Sequence, residues 1–230
     1  MDDLQQGLAA TEDEPHFLDD PDVSQAFATM LQEFARESDR GAVLIAADIV
    51  AAHLEIVIRE LAPSEFGAKR LKEMLNYPGM ISSLAARNDV ALMAGFISPI
   101  AYHSINTLRG LRNNAAHSQG GFRLKDNLEL LRKISDLGPG TTVNVNRFAI
   151  DAVVTPYFDS LLNKGLEMER ETGRNLFPDR ATILATLKEH PDTMGALEEQ
   201  ALRTELAFAV WLLLGSIAHK RKSLVVSRAP

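Results

Sequence analysis

The stretch "RGAVLIAADIVAAHLEIVIREL", residues 40–61, carries apolar side chains around most of a helical circumference. A helix clothed in this way needs neighbours on several sides, so it reads as the central member of a bundle. It spans about residues 40–62 and ends before Pro63, whose ring cannot continue a helix. Its polar exceptions are Asp48, His53 and Glu55.

The flanking sequence supplies partners of the same type. After Pro21, "DVSQAFATMLQEFARES" places Val23, Phe27, Met30, Leu31 and Phe34 on one stripe of a first amphipathic helix. Two shorter helices are expected over 66–76 and 80–95, divided by the turn-forming "NYPG". "SPIAYHSINTLRGLRNNAAH" opens with an N-capping Ser98 and a proline at the first helical position, and Gly120 and Gly121 close it. "FRLKDNLELLRKISDL" follows as another helix. The segment "GPGTTVNVNRF", 138–148, is the one strand candidate and reads better as a loop. Helices over about 149–172, 180–189 and 193–222 complete the chain. The fold class is therefore all-α. Residues 21–137 are expected to form a helical bundle, 138–230 a C-terminal helical extension packed on it, and 1–20 a disordered acidic arm.

Composition narrows the function classes. The chain has 230 residues, 46% of them hydrophobic, enough to bury a core without staples. It has no cysteine, which excludes disulfides and thiolate metal sites and fits a reducing, cytoplasmic compartment. The opening "MDDLQQGLAATEDEP" lacks the basic-then-apolar order of a secretory signal. The longest apolar run, "LAFAVWLLLGSIA" at 206–218, is shorter than a bilayer span and is read as a buried core helix, so no membrane association is expected. The formal charge of −7 is concentrated at one end: residues 1–39 hold eleven acids and one base, and the remainder is net +3. The basic "HKRK" at 219–222 offers the acidic arm a landing place, but is read first as a charge complement to the end of its helix.

The chemistry-bearing stretch is "RNNAAHS", residues 112–118. A guanidinium grips phosphate oxygens bidentately, and an imidazole moves protons near neutrality. Arg112 and His117 stand five positions apart, about 140° round a continuous helix. They meet only if the helix gives way near His117 or if a second subunit brings the two together. Arg109, one turn earlier, extends the cationic strip, with Asn113 and Asn114 in support. Glu55 and Asp48 of the central helix are the candidate partners should Arg112 be buried. His117 alternatively caps carbonyls at the end of its helix. His53 and Glu55 do not share a helical face, and His16, His103, His190 and His219 show no ligand spacing, so no metal and no cofactor is expected. "GPGTT" lacks the lysine and setting of a phosphate-binding loop, and no helix-turn-helix pattern is present.

Arg112, Asn113 and His117 match the R-x4-6-H signature, with a polar residue after the arginine, of the HEPN superfamily of small helical proteins. The longer "GFISPIAYHSINTLRGLRNNAAHS", 95–118, and "RGAVLIAADIVAAHLEIVI" resemble the mannitol repressor (MltR-like) family. The resemblance covers about residues 25–135. It implies a homodimer with an RNA- or phosphate-binding site, and two functional branches. In one, a metal-independent, toxin-like endoribonuclease uses the RNA 2′-hydroxyl as nucleophile, with His117 moving the proton, Arg112 holding the phosphate and Asn113 orienting it. In the other, a non-catalytic transcriptional regulator of the mannitol operon repressor type acts through protein partners.

Overall fold

A computed structural model describes residue 18 and residues 20–228. Among the described residues it contains nine α-helices, two short 3-10 turns and no strand, an all-α bundle. The helices are α1 (Pro21–Phe34), α2 (Asp39–Leu61), α3 (Ala68–Leu75), α4 (Leu84–Met93), α5 (Pro99–His117), α6 (Leu128–Ile134), α7 (Thr141–Thr172), α8 (Arg180–Glu189) and α9 (Pro191–Arg228).

Local signals start most of them. Pro21 occupies the first turn of α1, and Asp20 accepts from the Asp22 amide at 3.1 Å. Ser38 caps α2 through the Gly41 amide at 3.2 Å, Ser83 caps α4 through Ala86 at 3.1 Å, and Ser98 caps α5 through Ala101 at 3.2 Å. The expected loop at 138–148 is instead the first part of α7, which runs from Thr141 and carries Pro156 inside it. Val145 and Ala149 are buried there, and this tertiary burial overrides the weak helix propensity of "TTVNV".

As its apolar circumference requires, α2 is packed by α1, α4, α5 and α9. Val43, Ala46, Val50, Leu54 and Val57 are almost wholly enclosed. Their neighbours include Leu108 and Leu111 of α5 and Leu206, Val210, Leu213 and Ile217 of α9, all in the same core. The C-terminal portion is thus not merely laid on the bundle, because α9 is one of its core helices. By length and composition α2 and α9 are each apolar enough to cross a membrane, and here their apolar stripes face one another. The acidic arm lies almost entirely outside the described residues.

Polar links brace this core. Asp39, 5% exposed, accepts from Arg203 of α9 at 2.9 Å and from the Leu124 amide at 2.8 Å, joining α2, α9 and the turn before α6. At the other end of α9, Arg221 approaches Asp20 at 3.2 Å, and Asp22 and Glu60 at 3.5 Å, while Lys222 reaches Asp20 at 3.3 Å. The basic "HKRK" therefore meets acids at the start of α1 and on α2. It cannot complement the end of its helix, because α9 continues to Arg228. Burial raises the Asp20 carboxyl, but Lys222 and Arg221 outweigh it and hold the group below its ordinary value. Burial lowers His53, whose Nε2 is enclosed without a partner near these charges.

Between α7 and α9, Glu205 is 2% exposed and accepts from the Asn146 amide at 2.7 Å, while its other oxygen has no partner. Burial pushes its pKa up against the pull of Asn146 and Arg132.

Two outcomes follow from these links. Asp39→Ala leaves Arg203 without its carboxylate and is expected to cost about 3–5 kcal/mol in urea unfolding. A raised carboxyl pKa favours the protonated form in the folded state, so the Glu205 contribution to stability is present below pH 4.5 and is lost as pH rises through the elevated value. Glu205→Gln is expected to remove that slope and to raise stability at pH 7, measured by unfolding across pH 4–8.

Candidate functional site

Two helical stripes make the site. The buried residues of α5 are Ala101, Ser104, Ile105, Leu108, Leu111 and Ala115, and this stripe fixes the rotation of the helix. Arg109, Arg112 and Asn113, at i, i+3 and i+4, share a face beside the stripe. On α2, Asp48, Ala51, Ala52 and Glu55 follow the same spacing. These faces line opposite parts of a cleft of about 630 Å³, which the start of α4, from Ser83 to Ala85, also borders.

The charges in the cleft divide sharply. Glu55 is fully engaged: Arg59 reaches one carboxylate oxygen at 2.7 Å and Arg87 the other at 2.8 Å. Arg112 is therefore not the buried partner of Glu55 or Asp48 that the sequence allowed; it is exposed and makes no ion pair. Arg109 is half-buried and Asp48 exposed, and neither is paired. Two guanidiniums with no ion pair among the described residues thus line the same cleft as the amino-terminal turn of α4. Ser83 caps the Ala86 amide there, and Ser83, Leu84 and Ala85 belong to the cleft lining.

His117 and Asn114 stand outside the cleft lining. The helix does not give way as one reading required: α5 is continuous to His117, and both residues are exposed. Within one subunit, Arg112 and His117 keep the 140° separation of a regular helix. Nor does His117 cap the end of α5. Arg40 does, with one Nη donating to the Ser118 carbonyl at 2.9 Å, the Ser118 hydroxyl at 2.8 Å and the Gly120 carbonyl at 2.9 Å. A cation in the first turn of α2 opposes the helix dipole, and that mismatch is the sequence signal that Arg40 serves another element.

Arg87 was also absent from the sequence reading. Its guanidinium donates to the carbonyls of Ile81 at 3.2 Å, Ala51 at 2.9 Å and Leu75 at 3.1 Å, besides pairing Glu55. Leu84, Arg87, Asn88 and Ala91 fall at i, i+3, i+4 and i+7, so periodicity does place Arg87 on the buried face of α4. Among the described residues, no group of three His, Asp or Glu side chains is disposed to hold a metal ion.

Comparison with protein-family models, curated proteins and solved structures finds no match to this chain.

The cleft wall depends on Arg87. Arg87→Met strands three carbonyls and half of the Glu55 pairing, and is expected to cost about 3 kcal/mol in urea unfolding. Amide exchange should accelerate first over residues 75–83.

Proposed function

We infer that the cleft between α2, α4 and α5 binds a phosphate group, carried by RNA in the reading that the HEPN-like and mannitol repressor-like resemblance implies. One observation carries this: Arg109 and Arg112 line the cleft together with the amino-terminal turn of α4, and neither makes an ion pair among the described residues. Guanidiniums supply bidentate donors, and the helix start supplies backbone amides and a partial positive charge. Asn113 adds an amide on the same face. The net +3 of residues 40–230 weakens the electrostatic objection that the overall charge of −7 raises to a polyanion.

Cleavage requires more than this cleft. A proton-transferring imidazole must stand within hydrogen-bond reach of the reacting phosphate, and His117 lies outside the lining of its own subunit. The endoribonuclease reading therefore needs a homodimer that presents His117 of one subunit to Arg112 of the other. That same observation favours the second reading, a non-catalytic regulator that binds phosphate or RNA and acts through a protein partner.

The test combines binding and chemistry. Arg112→Ala is expected to weaken binding of a labelled single-stranded RNA about tenfold at 0.1 M salt, with Arg109→Ala showing a smaller loss. Retained affinity in both variants, or wild-type protein that binds neither RNA nor inorganic phosphate, overturns the cleft as the site. Incubation with RNA in EDTA separates the readings: 2′,3′-cyclic phosphate ends lost in His117→Ala mark the enzyme, and binding without such ends marks the regulator.

A further inference from the structure

The connection between α3 and α4 is built more firmly than a linker needs. Arg87 bonds the carbonyls of Leu75 and Ile81, one at each end of it. The Ile81 amide donates to the Met74 carbonyl at 3.0 Å, the Gly79 amide to the Asn76 carbonyl at 2.6 Å, and the Ser82 hydroxyl to the Gly79 carbonyl at 2.8 Å. A Cβ at Gly79 would strike the carbonyls of Glu73, Met74 and Asn76, so the tight return admits only glycine.

This braced turn holds apolar groups outward. Tyr77 is 91% exposed and Met80 is 76% exposed. Tyr77 borders an open hollow of about 580 Å³ together with Lys69 and Lys72, which stand one turn apart on α3. Among the described residues neither lysine has an ion pair, while Glu73 in the same hollow is engaged by Arg70 at 3.5 Å. An exposed ring on a braced turn, beside two such ammoniums, offers stacking and phosphate contacts together.

The hollow and the cleft share their framework. Ser82 and Ser83, which follow the turn, line the cleft. The guanidinium that braces the turn also bonds Ala51 and Glu55 in the cleft wall. Lys69 and Lys72 thus border the hollow beside the ring, and Arg109 and Arg112 line the cleft that the serines after the turn enter.

We propose that Tyr77, with Lys69 and Lys72, is a base-stacking platform that extends the Arg109–Arg112 cleft into a tract for single-stranded nucleic acid. The proposal rests on the cleft being a phosphate site. A strand whose phosphate enters the cleft lays an adjoining, unstacked base on Tyr77 and further phosphates on the α3 lysines. Charge favours a polyanion over a purely apolar partner, because Lys69 and Lys72 share the hollow with the ring and neither is in an ion pair among the described residues.

The test uses the full chain, a labelled 2′-O-methyl RNA octamer that cannot undergo attack by its 2′-oxygen, and uridine 5′-monophosphate. Tyr77→Ala is expected to weaken octamer binding about tenfold and to leave monophosphate binding unchanged, while Tyr77→Phe keeps the wild-type affinity. Lys69→Ala with Lys72→Ala should lower the slope of log affinity against log salt by about 1.4, two contacts at ~0.7 each on a single strand. Unchanged octamer affinity in Tyr77→Ala, with Arg112→Ala weakening both ligands, overturns the platform and keeps the cleft. Losses in Tyr77→Ala with none in Arg112→Ala overturn the cleft reading and the continuous tract with it. Tyr77-dependent binding to phosphatidylserine vesicles, with no octamer binding, overturns the nucleic-acid assignment. Since Tyr77 is almost fully exposed, these variants should fold, and thermal unfolding checks that they do.

Discussion

The functional architecture depends on one buried guanidinium. Arg87 enters from α4 and satisfies carbonyls on α2, at the end of α3 and in the turn before α4, while neutralising Glu55. A charge so enclosed is tolerable only when nearly every donor is used, and four acceptors for its five hydrogens meet that condition. By occupying Glu55, Arg87 withdraws that carboxylate from the arginines of α5, and Asp48 is the acid that remains beside them in the cleft lining. The cationic character of the cleft is a consequence of that pairing.

A second set of ionic links holds the helix that the site never touches. Asp39 with Arg203 and Asp20 with Arg221 fasten α9 near both ends of its packed region. Between them, the aliphatic stripe of α9 faces α1 and α2, and Phe27 stacks on Trp211 with ring centres 4.6 Å apart. Buried pairs of this kind add little net energy over well-packed apolar side chains, but they penalise alternative registers in which one charge is stranded. Since α2 presents apolar side chains to α9 and polar ones to the cleft, fixing its rotation against α9 also fixes the direction of Asp48 and Glu55.

His117 and Arg112 show how regular geometry limits a motif. Proximity in sequence placed them together, yet an unbroken α5 sends them to different sectors, and Arg40 rather than the imidazole closes the helix. The pocket gathers Arg109, Arg112 and Asn113 because their spacing matches the helical repeat; Asn114 turns to another side, and His117, one turn beyond Asn113, stands past the end of the lining.

Helical periodicity, capping serines and prolines made the all-α class and most helix positions readable from residues alone, since each is a local property of a few consecutive side chains. The same periodicity predicts which α5 residues share a face. Local properties did not disclose the helical start of α7, where burial of Val145 and Ala149 outweighs poor propensity. They marked 206–218 as a core helix and 219–222 as a landing place for the acidic arm, but did not disclose that α9 packs against α1, α2 and α7, that Arg221 in particular meets Asp20, or that Arg87 takes Glu55. Those pairings join residues 32 to 201 positions apart, and choosing among many available acids and bases is a matter of which helices pack side by side. Pattern sets the outward face of each helix; only packing decides what that face meets.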